Sequence, residues 1–321
     1  MAAFNCQLNT TVPFASEFFS RITAKYAIVI AISTLITLAN LVLYLIHMIR
    51  ICLRVSSTTR RVSIGYLSGT PAFVSITCLV ALYVPRLHFY ASMLSFLYFI
   101  GAFYGATQIF WITIGTREAV ANELRKDSQK FKLNTPPCCC CLRCLPEAEM
   151  TARNIRRIER LALLAIVVRF IETMIFLALY FEHGILAFKY SQYIDLAWLP
   201  FFFLGMYGCH LLAVNMAKME KVQKSNCIRY FKLTDLFMLF YGIQHPIFVA
   251  LTNAGKFKCD ILPMNNTGYF WKNTALVVLS FLLTIIMLLI IDPARESAIP
   301  NDFESISTEI SMRSRKQSIG K

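Results

Sequence analysis

Residues 26–46 read YAIVIAISTLITLANLVLYLI, and residues 274–291 read TALVVLSFLLTIIMLLII. Neither stretch contains a charged residue. A helix of about 20 mostly apolar residues is long enough to cross the roughly 30 Å hydrocarbon core of a bilayer. Both segments are therefore predicted to be transmembrane helices. The first is too long, and begins too far along the chain, for a signal peptide.

Five further apolar runs lie between these two, at 64–84, 89–114, 161–181, 193–214 and 233–252. The chain is 57% hydrophobic and 16% charged, whereas soluble domains average roughly 45–50% and 25%. The net charge is +14, but the basic residues lie between the apolar runs and form no continuous surface for nucleic acid. The predicted fold is an all-α membrane protein, a seven-transmembrane helix bundle spanning 26–291.

Lysine and arginine concentrate in alternate connecting segments, which predicts the orientation. Of 32 such residues, 24 fall in one alternating set and 7 in the other. The rich set is 47–63, 115–160, 215–232 and 292–321, and the poor set is 1–25, 85–88, 182–192 and 253–273. Because basic loops stay cytoplasmic, segment 1–25 is predicted to be extracellular and the tail 292–321 to be cytoplasmic and disordered. The acceptor patterns at Asn9 and Asn265 both lie on the predicted outer side, where glycosylation occurs.

Five of the eleven cysteines crowd into the predicted cytoplasmic loop 115–160: Cys138, Cys139, Cys140, Cys141 and Cys144. Such crowding does not suit the paired spacing of a zinc site, and the cytosol disfavours disulfides. Clustered cysteines beside a membrane are typical S-palmitoylation sites, and acylation would hold the loop on membrane lipid. Metal binding and free thiols are the alternatives. On the predicted outer side, Cys6 and Cys259 are either a disulfide or two independent thiols.

Arg169 and Glu172 fall near the middle of the apolar run 161–181. Ionisable residues inside the bilayer are costly and mark candidate functional sites. Three positions apart, the two side chains share one helix face. They are either a mutually neutralising packing pair or a site on the substrate path, at which Arg169 offers donors to an anionic solute.

Gln244, His245 and Pro246 lie near the middle of the run 233–252. Proline removes a backbone donor and tends to kink a helix, which frees carbonyls that need partners in protein or in a water-filled cavity. The three residues are candidates for the substrate path or a gate. The alternative is a packed kink with a hydrogen-bonded histidine.

The motifs of enzymes and pumps are missing from the sequence. It contains no G-x-x-x-x-G-K-[ST] loop for ATP, no H-E-x-x-H and no G-x-S-x-G. The chain is therefore predicted not to be an enzyme and to need no cofactor or metal.

Several stretches resemble one known family. They are Thr70–Ser75 with Tyr83–Arg86, Gly115–Val120, the proline-led run Cys138–Cys141 with Cys144, and Gln244–Phe248 followed by Ala254-Gly255 and Cys259. In this order, on seven predicted helices, they resemble the alpha subunit of the organic solute transporter, in particular its invertebrate alpha-like members.

The resemblance implies a facilitative carrier, independent of sodium and ATP, that moves amphipathic organic anions such as steroid conjugates and bile acids. It also implies a small single-span beta-type subunit as partner, within a homo- or hetero-oligomer, and the plasma membrane as location, with endosomal membranes as the alternative. Two other functions compete with transport. One is a non-transporting trafficking or scaffold protein with a palmitoylated loop. The other is a seven-helix receptor, although the stretch Gly115-Thr116-Arg117 and the end Ile291-Asp292-Pro293 lack the usual receptor motifs.

Overall fold

The computed structural model describes residues 12–115, 117–118, 120–121, 151–183, 187–257 and 260–292. Every regular element in that part of the chain is helical. The helices are α1 (Ala15–Ser20), α2 (Ala24–Arg54), α3 (Thr58–Ser68), α4 (Thr70–Tyr83), α5 (His88–Ile114), α6 (Ala152–His183), α7 (Ala187–Met216), α8 (Glu220–Lys224), α9 (Cys227–Asn253) and α10 (Met264–Ile290). A 3-10 turn, Pro85–Leu87, precedes α5. The cysteines 138–141 and 144, the Cys6 and Cys259 pair, Asn9 and the tail 293–321 lie outside the described residues.

Among the described helices, five are long and apolar enough to cross a membrane: α2, α5 with its preceding turn, α6, the part Leu199–Met216 of α7, and α10. The pair α3 and α4, bent by 42°, makes a sixth if it counts as one span. Helix α9 is long enough at 27 residues but is not among the five helices found in the described part of the chain. Seven spans and the orientation of the termini remain predictions.

The break between α3 and α4 follows from one proline. Pro71, in the first turn of α4, has no amide hydrogen to continue the ladder from α3. The Thr70 hydroxyl instead donates to the Leu67 carbonyl at 2.9 Å, so the freed acceptor is satisfied inside the protein. Pro71 lies within Thr70–Ser75, one of the stretches on which the family resemblance rests.

The middle of helix α2 buries polar side chains and exposes large apolar ones. Thr37 and Asn40 are buried, whereas Leu35 and Leu38 are 67% and 54% exposed. The Thr37 hydroxyl lies 2.9 Å from the Ser75 hydroxyl of α4. A helix surrounded by water shows the opposite arrangement, so the exposed face of α2 is suited to lipid.

The chain divides into two compact units, each formed by several segments. The first comprises residues 1–49, 66–102 and 232–291. In this unit α4 packs along α10, and an apolar core forms around the ring of Phe270. Tyr26 meets Phe270 edge to face, with 5.0 Å between ring centroids. The buried members of this core are Phe18, Tyr26, Ile30, Leu82, Ile261, Leu262 and Phe270.

The second unit comprises residues 50–65, 103–231 and 292–321. Its main feature is the packing of α6 against α7. Glycine on α7 faces alanine on α6 at two positions, Gly205 with Ala165 and Gly208 with Ala162. Small residues at both surfaces let the two backbones approach closely, as is common between membrane helices.

Candidate functional site

Arg169 and Glu172 lie on one face of α6 and form an ion pair. The Nη1 atom of Arg169 lies 2.7 Å from Oε2 of Glu172, and their side chains are 15% and 6% exposed. The Thr173 hydroxyl donates to the Arg169 carbonyl at 2.8 Å. The charge of a buried guanidinium is largely neutralised by a carboxylate partner, and removal of either partner would leave an uncompensated charge. The geometry fits both interpretations of the pair, packing or solute contact.

Gln244 lies half-buried on α9. No donor in the described part of the chain reaches its Oε1 atom, which is shielded from solvent. A buried amide oxygen without a hydrogen bond is costly, so this atom is suited to accept from a solute or a water. Helix α9 runs through His245 and Pro246; their side chains lie outside what the structure describes, and the kink at Pro246 remains a prediction.

The sequence reasoning missed a buried lysine, Lys272. It was counted in the connecting segment 253–273, but α10 begins at Met264 and contains it. The residue is only 4% exposed. Its Nζ donates to the Ser92 hydroxyl of α5 at 3.1 Å and lies 5.3 Å from the centre of the Tyr269 ring. The spacing of Asn266, Phe270 and Asn273, four and three residues apart, is compatible with one helix face that includes this segment. The structure shows that all three are buried.

Polar and aromatic groups surround Lys272. The Tyr241 hydroxyl of α9 donates to the Ser92 carbonyl at 3.1 Å. The His88 ring stacks on Tyr269 with 4.4 Å between centroids, and its Nδ1 lies 2.8 Å from the Pro85 carbonyl. The Lys272 cluster comprises Lys272, Ser92, Tyr241, Tyr269 and His88, all within the first unit.

A separate ion pair follows the end of α5 in the second unit. Helix α5 ends at Ile114, and Gly115 turns the chain with a φ of +105°. Arg117 then contacts Glu159 of α6 with two nitrogens, Nε at 2.6 Å and Nη2 at 3.2 Å from the two carboxylate oxygens. These hydrogen bonds from Arg117 raise the pKa of its guanidinium. The stretch Gly115–Val120 therefore has a structural role, linking α5 to the start of α6.

Asn265 is exposed in the first turn of α10. Thr267, which completes its acceptor pattern, is buried, and its hydroxyl donates to the Pro263 carbonyl at 3.2 Å. Glycosylation at Asn265 remains a prediction.

Four cysteines lie in the described part of the chain. Cys78, Cys209 and Cys227 are buried, and Cys52 is exposed.

Comparison with known proteins shows the family. The family model described as "Organic solute transporter Ostalpha" matches residues 29–294. This chain belongs to the organic solute transporter alpha family. The resemblance stated from the sequence is thereby confirmed.

Relatives in this family come from nematodes and fish. Organic solute transporter alpha-like protein 2 of Caenorhabditis elegans is 31% identical over 89% of this chain and 84% of its own length. Alpha-like protein 3 of the same organism is 27% identical, over 89% and 80% of the two chains. Organic solute transporter subunit alpha of Leucoraja erinaceus is 25% identical, over 72% and 66%. No solved structure matches the chain.

Membership in the organic solute transporter alpha family agrees with the apolar helices and with the outward-facing apolar side chains of α2. The chain is a multi-pass membrane protein of a solute transporter family, not a member of an enzyme family. The skate relative is named as a subunit, which implies a partner for that protein.

Proposed function

We propose that this chain is a facilitative carrier of amphipathic organic anions, such as steroid conjugates and bile-acid-like solutes. The observation that carries the proposal is the match of residues 29–294 to the organic solute transporter alpha family. The sequence contains no phosphate-binding loop for ATP, which argues against ATP-driven pumping by this chain. Transport proceeds down the solute gradient, without sodium or ATP.

Arg169 on α6 provides a contact for the anionic head of the solute. Its guanidinium is mostly buried and pairs with Glu172 at 2.7 Å. An entering sulfate or carboxylate accepts charge-assisted hydrogen bonds from Arg169, which are roughly twice as strong as neutral ones, and Glu172 balances the charge when no solute is present. Gln244 on α9, with His245 and Pro246, provides further polar contacts along the path.

The carrier works with a small single-span beta-type subunit in the plasma membrane. Its N-terminus is extracellular and its C-terminus cytoplasmic. The predicted cytoplasmic segments contain 24 lysine and arginine residues against 7 in the predicted outer segments, which supports this orientation. Acylation of the cysteines 138–141 and 144 holds the cytoplasmic loop on the inner leaflet, Asn9 and Asn265 carry glycans, and Cys6 pairs with Cys259.

The test is flux of a radiolabelled steroid sulfate in cells that express the chain, with and without candidate single-span partners. Saturable flux in both directions, unchanged by sodium replacement and ATP depletion, is the expected result. Absence of flux with confirmed surface delivery and a confirmed partner would contradict a carrier. The non-transporting scaffold with a palmitoylated loop would then be the better interpretation.

A further inference from the structure

Lys272 is a buried cation without an anionic partner in the described part of the chain. Its ammonium group has three donors, and one of them is used by the Ser92 hydroxyl at 3.1 Å. No described carboxylate forms an ion pair with it, in contrast to Arg169, which is paired with Glu172. An isolated charge away from water is unfavourable, so the site favours any anion that can enter.

The surface beside Ser92 is aromatic and accessible in part. Tyr241 and Phe96 are half-buried, and their rings stack with 5.9 Å between centroids at 12°. Tyr241 also stacks on Phe99 at 6.0 Å, and its hydroxyl is held by the Ser92 carbonyl. A flat apolar body can pack against such rings, while its charged end reaches the Lys272 ammonium.

The other titratable groups near Lys272 do not neutralise it. His88 lies in the same cluster, but an imidazole is neutral or positive. Cys78 on α4 is also close enough to Lys272 to interact with it, but thiols are mostly protonated, and therefore neutral, at pH 7. The described groups around Lys272 therefore supply no counter-charge, and an anion that enters would stabilise its ammonium form.

We propose that Lys272 and Ser92 bind the anionic head of an amphipathic organic solute, a sulfate or carboxylate, and that Phe96 and Tyr241 hold its apolar body. The inference rests on the proposed function for the identity of the solute. It adds a second anion contact, in the first unit, to the Arg169 contact in the second. An anionic phospholipid has the same chemistry, so the test separates the two sources.

The experiment measures equilibrium binding to the purified full chain in phosphatidylcholine nanodiscs, without flux. The probes are tritiated pregnenolone sulfate and its unsulfated parent, pregnenolone. We expect saturable binding with a preference of about tenfold for the sulfate, the size expected of a hydrogen bond to a charged group. Lys272→Met is expected to lower the preference several-fold while pregnenolone still binds, with the Arg169 contact unchanged. Lys272→Arg is expected to retain most of the preference. Ser92→Ala is expected to weaken it.

The control is Lys256→Met, since Lys256 is an exposed lysine of the same unit. The preference of this variant for the sulfated steroid should equal that of the unchanged protein. An unaltered preference in Lys272→Met would overturn the inference, as would the absence of sulfate binding to the unchanged chain. Thermal unfolding of each variant verifies folding. Phosphatidylserine at one fifth of the nanodisc lipid should leave the affinity for pregnenolone sulfate unchanged. Competition between phosphatidylserine and pregnenolone sulfate would assign the site to lipid and contradict the assignment to an organic solute.

The outcomes for this site and for the carrier are distinguishable. Sulfate binding that depends on Lys272, without flux in cells, would support the site and contradict the carrier. Flux in cells that is unchanged in Lys272→Met, together with unchanged binding, would support the carrier and contradict the site.

Discussion

A Cβ atom on Gly208 of α7 would lie 2.8 Å from the backbone nitrogen of Ala162 on α6. Such a distance is shorter than carbon and nitrogen tolerate without a bond. The neighbouring atoms are backbone, which cannot rotate away as a flexible side chain can. The close approach of α6 and α7 therefore depends on the absence of a side chain at Gly208, and the Gly205 and Ala165 contact one turn away follows the same rule.

Gly208→Ala is expected to destabilise the protein by about 1–3 kcal/mol, the usual cost of overpacking. The measurement is the apparent melting temperature of the detergent-purified chain. The matched control is Gly242→Ala on α9, where an added Cβ meets nothing within 4 Å. That control should be neutral or stabilising by up to about 1 kcal/mol, because alanine restricts the unfolded chain. Equal melting temperatures for the two variants would contradict the packing argument.

Glu172→Gln is expected to cost about 3–5 kcal/mol, because it leaves the Arg169 charge buried without its carboxylate. The double variant Arg169→Gln with Glu172→Gln should recover most of that loss, since neither charge remains. Thermal unfolding of the unchanged protein and of the two variants checks this expectation. A double variant as unstable as Glu172→Gln alone would show that the ion pair is not the cause.

Arg169→Gln is expected to lower steroid-sulfate uptake several-fold at equal surface expression, since a neutral amide makes weaker hydrogen bonds to the sulfate. Surface biotinylation provides the correction for delivery. If the variant takes up the steroid sulfate as well as the unchanged protein does, Arg169 does not contribute to the substrate path. That result would not contradict the carrier function.

The coupling energy between Arg117 and Glu159 is expected to be about 1 kcal/mol, larger than that of a typical surface ion pair. Two hydrogen bonds hold the guanidinium, and the Glu159 side chain is only 9% exposed. A double-mutant cycle of Arg117→Gln and Glu159→Gln measures the coupling. The exposed pair Arg156 and Glu118, at 3.2 Å, is the control, with an expected coupling near zero. Similar values for both cycles would contradict a special role for Glu159.

Gly115→Ala is expected to cost about 1 kcal/mol, because a φ of +105° is unfavourable for any residue with a Cβ. Packing contributes nothing, since an added Cβ there meets no atom within 4 Å. The melting temperature again provides the measurement, with Gly242→Ala as the control for the helix-compatible case. A neutral effect would mean that the turn relaxes without cost.

Local sequence patterns predicted the features that depend on neighbours in the chain. The uncharged run 26–46 lies within α2, and the spacing of three residues between Arg169 and Glu172 predicted their contact at 2.7 Å. Both follow from the helical repeat and from residue type. The start of α10 was different. The charge of Lys272 suggested a connecting segment, but the helix begins at Met264 and its first turns bury Asn266, Phe270 and Asn273.

By itself, the sequence determined a helical membrane protein of the organic solute transporter alpha family, because apolar length and residue order are properties of the chain. Tertiary structure alone decided the contacts between charged residues and side chains that are distant in the chain. Lys272 meets Ser92 across 180 positions, and Arg117 meets Glu159 across 42. The spacing of residues along one helix cannot predict these contacts, because they arise when separate helices pack together. Burial then increases the effect that the presence or absence of a counter-charge has on stability.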